Sequence, residues 1–236
     1  MAFSRRRFKF IIVGIMKIVS ALIKLLISIL LLLLLAGFVQ AFLYDIAVLG
    51  EHLHDSQVRW FLFGLSVGTV LWFVWIRKKL FFIAFEHELT HLIVALLFFR
   101  SPKSFEAKEG SGQVQYEKAS NLIIALAPYF LPTYSLFVLI VYVLASSNFK
   151  PYIAFLIGVS LAYHIFSNIK EFSFKQPDIQ KSGYAISTAL FMFGNVFFTG
   201  LLISVLVGKE FAKEYLKLGW SGSVDLVKGI ISGFNP

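Results

Sequence analysis

The amino-acid sequence predicts an all-α protein: a polytopic bundle of about six transmembrane helices, with a short strand-forming loop and an interfacial amphipathic helix at each end. Composition is the first observation, because 58% of the 236 residues are hydrophobic and only 15% are charged, which is too little polar surface for a soluble fold. The second is that the apolar residues occur in runs of roughly 20, the length of a bilayer crossing. The third is that short basic segments separate several of these runs. We therefore expect a multi-pass integral membrane protein in a lipid bilayer.

The chain begins with a basic segment. Three arginines within the first seven residues precede an apolar stretch that is too long for one perpendicular crossing at ~1.5 Å per residue. Lys17 and Lys24 fall on one stripe of a helix, so residues 1–24 are predicted to form a basic amphipathic segment at the membrane interface. The first span is then expected over residues 25–44.

Five further segments have the length and composition of transmembrane helices. They cover residues 57–76, 80–99, 121–145, 151–169 and 184–207. The C-terminal residues 209–236 combine charged side chains with Trp220, a pattern typical of an amphipathic helix lying at the interface.

The distribution of charge predicts an orientation. With six crossings, the N-terminus, residues 77–79, Lys150 and the C-terminus share one side, and the other side holds the loops 45–56, 100–120 and 170–183. The first side is more basic, and basic loops mark the cytoplasmic side, so we expect a plasma-membrane protein with a cytoplasmic N-terminus. Such loops also account for the net charge of +9 without nucleic-acid binding, for which the sequence has no signature.

The third predicted span carries a metal-binding pattern, His87-Glu88-Leu89-Thr90-His91. Residues four apart lie on one face of a helix, so His87 and His91 can bind the same zinc ion. Glu88 adjoins the first ligand and can act as general base toward a zinc-bound water molecule. Ionisable groups within an apolar span are costly unless they face a metal, a partner or a cavity. The pattern therefore predicts a catalytic zinc site.

A catalytic zinc usually has three protein ligands and one open position, and the chain contains no cysteine. The candidates for the third ligand are Asp178, His164, Glu171 and the cluster over residues 51–55, which is otherwise a solvated loop. Asp178 follows Pro177 in the loop after the fifth span, on the side toward which the third span runs. A turn or a helix cap explains Asp178 equally well, so the residues by themselves leave this ligand open.

The motifs resemble the site-2 protease family of intramembrane zinc metalloproteases over roughly residues 80–200. In that family a His-Glu-x-x-His helix precedes a strand-forming loop, a span with a break, and a span bearing an Asn that is followed by an Asp ligand. The corresponding segments here are 87–91, 112–116, Ala127-Pro128, Asn168 and Asp178. The resemblance implies Asp178 as the third zinc ligand. It also implies a metalloprotease core over residues 80–208, preceded by two accessory spans within residues 25–79.

Three features depart from the family's pattern. Ile179 follows Asp178 where the family has Gly, and the spacing from Asn168 to Asp178 is longer than usual. The third departure is the segment Ile169-Lys170-Glu171, which stands where the family has an apolar pair and a Pro. The family also works near the cytosolic face, whereas the orientation predicted from the six crossings and the charge of the loops places this site toward the outer face.

The resemblance implies a peptidase that hydrolyses membrane-embedded or membrane-proximal proteins or peptides. A helical substrate must unwind before cleavage, and Gln113, Val114 and Gln115 can hold it as an added β-strand. Asn168 lies four residues after His164, so this pair can orient a substrate or form a buried polar contact between helices. Two alternatives from other classes are a zinc-binding membrane transporter and a catalytically silent membrane scaffold.

Overall fold

The computed structural model describes residues 2–109, 111–116 and 121–233. Within this part of the chain, five helices are long and apolar enough to cross a membrane, and a bent pair of shorter helices raises the number to six if it counts as one span. The predicted all-α, multi-pass membrane bundle is confirmed. The helices are α1 (Ala2–Glu51), α2 (Ser56–Val74), α3 (Leu80–Leu97), α4 (Leu122–Leu126), α5 (Thr133–Leu144), α6 (Lys150–Glu171), α7 (Pro177–Ser182), α8 (Tyr184–Val207) and α9 (Lys209–Gly233).

Helix α1 runs without a break through the boundary that we predicted at residue 24. The amphipathic segment and the first span are therefore parts of one helix of 50 residues. No proline or glycine lies between Gly14 and Gly37, so nothing in the sequence interrupts the backbone hydrogen-bond ladder there. The predicted C-terminal amphipathic segment is helix α9, but its expected position apart from the bundle at the interface is wrong. Helix α9 runs antiparallel along α1, because Gly219 lies against Gly37 and, one turn later, Ser223 Oγ lies 3.2 Å from the Leu34 carbonyl oxygen. Residues 234–236 lie outside the described residues.

Helices α2 and α6 pack closely and run in the same direction. Gly64 lies against the backbone of Phe155, and four residues later Gly68 lies against Val159, so the absence of side chains lets the two backbones approach. One turn further, the Trp72 ring stacks on another aromatic ring of α6 at 6.1 Å between centroids. Because the two helices are parallel, Ser56 and Lys150 lie at one end of the bundle. At the other end, Lys170 donates a hydrogen bond to the Arg77 carbonyl oxygen.

This packing corrects the predicted sides of the loops. Residues 77–79 share one end of the bundle with the segment 170–183, which we call the basic end. Lys150 lies at the opposite end, where both Gln57 Nε2 and the Tyr142 hydroxyl donate to the Leu206 carbonyl oxygen at 3.2 Å. The predicted topology of six crossings placed residues 77–79 and 170–183 on different sides of the membrane, and that prediction is wrong.

The reason for the error is the segment predicted as a single span over residues 121–145. Helices α4 and α5 are bent by 83° relative to one another, with a 3-10 turn over Ala127–Tyr129 at the start of the break. Pro128 and Pro132 lack backbone donors and do not support a continuous helix here. As a result, the chain between α3 and the end of α5 passes from the basic end to the opposite end once rather than twice.

Helices α1, α8 and α9 form a second packed group. Gly37 of α1 approaches Gly219 of α9, and Phe38 packs against Phe193 of α8 at 5.6 Å between ring centroids. Residues before Lys24 reach the basic end, where they line a cavity together with residues 180–183. The described N-terminal part of α1 therefore lies at the same end as α7.

The predicted strand-forming loop is a β-hairpin. Strand β1 (Pro102–Lys108) pairs antiparallel with β2 (Ser111–Tyr116), and Phe105 stands opposite Val114. The hairpin folds back along α3, where the Phe105 ring contacts that of Phe85 at 5.8 Å between centroids. This contact brings β2 beside the His-Glu-x-x-His motif.

Candidate metal centre

Helix α3 presents both motif histidines to one cavity. His87 and His91 lie one helical turn apart, with 4.8 Å between their ring centroids. The cavity has a volume of about 540 Å³, and Glu88 also lines it. The three motif residues predicted from the sequence therefore open onto the same space.

Asp178 faces the two histidines from helix α7. Its Oδ2 atom lies 3.5 Å from Nε2 of His91 and 3.9 Å from Nε2 of His87. One potential ligand atom from each of these residues lies within 4.8 Å of the other two. In a tetrahedral zinc site with bonds near 2.0–2.1 Å, ligand atoms lie about 3.3 Å apart. The three side chains therefore fit a single zinc ion after shifts of an ångström or less.

Local sequence explains how Asp178 is placed. Gln176 is extended and Pro177 occupies the first helical turn, so α7 begins at this point. Gly183 ends α7 with φ of 104°, a left-handed conformation that glycine adopts without steric cost. Burial raises the pKa of the Asp178 carboxyl, but the His87 and His91 rings that face it outweigh burial and hold that pKa well below its ordinary value. The carboxyl is therefore ionised, as a metal ligand must be.

Both histidines have partners on the side away from Asp178. His91 Nδ1 donates to the Ile124 carbonyl oxygen at 2.7 Å, and His87 Nδ1 lies 3.4 Å from Oε2 of Glu171. These partners favour a proton on Nδ1, so any proton that Nε2 shares with Asp178 is the one that a bound metal would displace. Metal-binding histidines usually donate their other ring N–H to a carboxylate or a carbonyl in this way.

The other candidates for the third ligand lie elsewhere. His164 is 2% exposed and its Nε2 contacts Asn195 and Asn168 at 3.2 and 3.0 Å, apart from the cluster of His87, His91 and Asp178. Glu171 lies beside His87 Nδ1 rather than Nε2. The cluster over residues 51–55 lies at the opposite end of the bundle. There His52 Nδ1 pairs with Asp55 at 2.8 Å.

Strand β2 closes one wall of the cavity. Gly112 packs directly on Glu88, and a Cβ atom at this position would lie 2.7 Å from the Glu88 Oε1 atom. Only glycine allows the strand to approach the carboxylate this closely. Gln113 and Val114, two of the three strand residues predicted to bind substrate, also line the cavity, whereas Gln115 does not.

Asn168 does not line the cavity. It is 2% exposed, and its Nδ2 atom donates to Oδ1 of Asn195 at 3.1 Å. Asn195 in turn donates to the Tyr129 carbonyl oxygen at 2.9 Å, next to the break between α4 and α5. The structure thus places Asn168 in a buried polar contact between helices, one of the two roles that the sequence left open.

Several residues of the site were missed by sequence reasoning. Glu171 was considered only as a ligand, although it stands as the partner of His87. The Tyr129 ring packs edge-on against His87 at 5.2 Å, and Gln176 and Lys181 line the cavity. The charge of Glu171 at the end of an apolar span was a usable signal. The Ile124 carbonyl carried none, because every residue has one.

Comparison with family models, curated proteins and solved structures finds no match for this chain. The chemistry of the site therefore has to be inferred from its own atoms. Two imidazoles and one carboxylate form a donor set that suits zinc, and a second carboxylate lies beside them in a cavity large enough for part of a peptide.

Proposed function

We propose that this protein is an intramembrane zinc metalloprotease, similar to the site-2 proteases, that hydrolyses peptide bonds of membrane-embedded or membrane-proximal substrates. One observation carries the proposal. His87, His91 and Asp178 converge around one point, with Glu88 and the edge of strand β2 beside them in the same cavity.

The residues divide the chemical work between them. Zinc held by His87, His91 and Asp178 would polarise the scissile carbonyl and lower the pKa of a water molecule. Glu88 accepts the proton of the attacking water and passes it to the leaving amine. Glu171 and the Ile124 carbonyl keep the two imidazoles in the tautomer and orientation that this requires.

Substrate binding follows from the hairpin. Among the described strands, β2 pairs only with β1, so its second edge is available for another strand. The cavity is lined on one wall by Gln113 and Val114 of β2. An extended segment added there would lie beside Glu88 with its backbone hydrogen-bonded and unwound. The peptide groups of a helical substrate are engaged in the helix's own hydrogen bonds and are not accessible to attack. Strand addition would expose them by holding the segment unwound.

We infer that the catalytic cavity opens toward the cytoplasm. The basic end carries six cations and two carboxylates close to the helix ends, namely Arg77, Lys78, Lys79, Lys170, Lys175, Lys181, Glu171 and Asp178. At the opposite end, Arg59, Lys150 and Lys209 are balanced by Glu51, Asp55 and Glu210. Positive charge favours the cytoplasmic side, and the basic end also holds the N-terminal part of α1. A catalytic site near the cytosolic face, as the family resemblance implies, is then compatible with a cytoplasmic N-terminus. This proposal replaces the position toward the outer face that the count of six crossings predicted.

The decisive experiment compares wild-type protein with Glu88→Gln. Purified in detergent, both should contain one zinc per chain by elemental analysis, because Glu88 is not a ligand. Cleavage of a transmembrane peptide should fall by ~10² to 10⁴-fold or more in Glu88→Gln, the usual cost of losing a general base. Glu210→Gln, an exposed glutamate at the opposite end, is the matched control and should keep full activity.

The alternatives give other results. A zinc transporter should move zinc into vesicles in both wild type and Glu88→Gln, with no cleavage in either. A silent scaffold should show neither zinc flux nor cleavage. Full peptide turnover by zinc-replete Glu88→Gln would exclude the mechanism proposed here.

A further inference from the structure

A second cavity lies at the basic end, between α1 and α7. Its volume is about 610 Å³. The α1 wall is formed by residues that recur at helical spacing, so they belong to one face of that helix, and the opposite wall is the end of α7. The lining residues are Val13, Met16, Lys17, Ser20, Ala21, Lys24, Gln180, Lys181, Ser182 and Gly183.

Among the described residues that line this cavity, three are basic and none is acidic. Lys17 and Lys24 are two helical turns apart on the α1 wall, and Lys181 faces them from α7. Across the described part of the chain, none of these three amines lies within ion-pair distance of a carboxylate. Three uncompensated ammonium groups around one space favour an anionic occupant.

The surroundings of the cavity are apolar. Exposed side chains such as Ile15, Ile18 and Leu22 cover the rest of α1 at this level, as expected for a helix in contact with lipid or the membrane interface. The occupant must therefore combine negative charge with an apolar part. We propose that this cavity binds the headgroup of an anionic phospholipid, with the three lysines around its phosphate and its acyl chains along α1.

Hydroxyl and amide groups complete the site. Ser20 and Gln180 line the cavity beside the lysines and can donate hydrogen bonds to phosphate oxygens. Lys181 borders both this cavity and the catalytic one, and it lies three residues after Asp178 in α7. A bound headgroup therefore tethers α7, the helix that carries the third metal-ligand candidate, to the N-terminal helix. The lipid site itself does not depend on the proposed peptidase activity.

Native mass spectrometry of the full-length protein tests the proposal. Detergent-solubilised protein is titrated with phosphatidylglycerol or with phosphatidylcholine. The test variant is Lys17→Gln/Lys24→Gln/Lys181→Gln. The matched control, Lys209→Gln/Lys213→Gln/Lys217→Gln, removes the same charge from α9. We expect wild type and control to retain one phosphatidylglycerol, and the test variant to bind it about a hundredfold more weakly, at ~5-fold for each lysine.

Further measurements separate loss of the site from loss of the fold. The triple Lys→Arg variant at positions 17, 24 and 181 keeps the charge and should still bind phosphatidylglycerol. Three outcomes would overturn the proposal: equal retention of phosphatidylcholine, undiminished binding by the Gln variant, or displacement of the lipid by an equimolar amount of inorganic phosphate. The last result would assign the cavity to a soluble phosphate instead.

Discussion

At the scale of single residues, the candidate metal centre depends on which nitrogen of each histidine is free. His87 and His91 both turn Nε2 toward Asp178 because their Nδ1 atoms face Glu171 and the Ile124 carbonyl. An imidazole without such a partner can rotate or change tautomer, and its affinity for a metal falls. Ligands and partners can therefore be distinguished by substitution.

Asp178→Ala should lose zinc. Removal of a direct ligand should weaken zinc binding by more than the ~10- to 100-fold that loss of an outer partner costs. His164→Ala is the control, since His164 lies outside the cluster. Zinc content after dialysis against a graded chelator series measures both. Loss of zinc from His164→Ala alone would show that the ligand assignment is wrong.

Glu171→Ala should weaken zinc binding by about 10- to 100-fold without abolishing it. The physical reason is that His87 loses the acceptor that orients its ring. Glu171→Gln keeps an acceptor oxygen for His87 and should recover part of the zinc affinity. Such a recovery is expected if Glu171 orients His87, but not if it only supports the fold. Gln113→Ala changes another residue of the cavity lining and should bind zinc normally. Equal affinities in all four proteins would contradict this role.

At the scale of elements, the hairpin and the broken α4–α5 pair build the site around α3. The hairpin brings Gly112 onto Glu88, and the break brings Ile124 and Tyr129 against the two histidines. Alternation of residues along β2 and the prolines of the break are local signals. Their meeting at α3 is a tertiary contact.

Val114→Pro should impair cleavage of a helical transmembrane substrate. Proline removes a backbone donor from β2 and opposes strand addition. Cleavage of a short peptide that is already extended should fall less than cleavage of the helical substrate. The measurement is therefore the ratio of the cleavage rates of these two substrates. Val114→Ala keeps the backbone donor and serves as the control. An unchanged ratio in a folded Val114→Pro protein would count against the role of the strand.

At the scale of the whole molecule, the parallel packing of α2 and α6 sets which loops share an end. Gly64 and Gly68 allow this packing, and Lys170 at the end of α6 donates a hydrogen bond to the Arg77 carbonyl oxygen just after α2, at the basic end. The orientation in the membrane then depends on the sum of charges at each end rather than on a count of apolar segments.

Introduced cysteines test this orientation, because the native chain has none. Ser147→Cys lies in the exposed turn between α5 and α6, and Lys175→Cys lies in the exposed segment before α7. On intact cells, an impermeant thiol reagent should label Ser147→Cys only. Lys175→Cys and Ser4→Cys should react after permeabilisation. The reverse pattern would place the catalytic cavity on the outer face, and equal labelling of Ser147→Cys and Lys175→Cys would contradict the bundle itself.

The sequence by itself determined the features that local spacing encodes. The membrane class follows from the length of the apolar runs, the helical face of His87 and His91 from their spacing of four, and the hairpin from the segment around Gly112. Tertiary structure alone decided which distant groups complete the site: it set Asp178 opposite the histidines, made Glu171 the partner of His87 rather than a ligand, and buried Asn168 against α8. It also decided the sides of the loops. Periodicity reports the direction of a side chain within its own helix, whereas these outcomes depend on how separate helices pack and on a break that turns one apolar run into two elements.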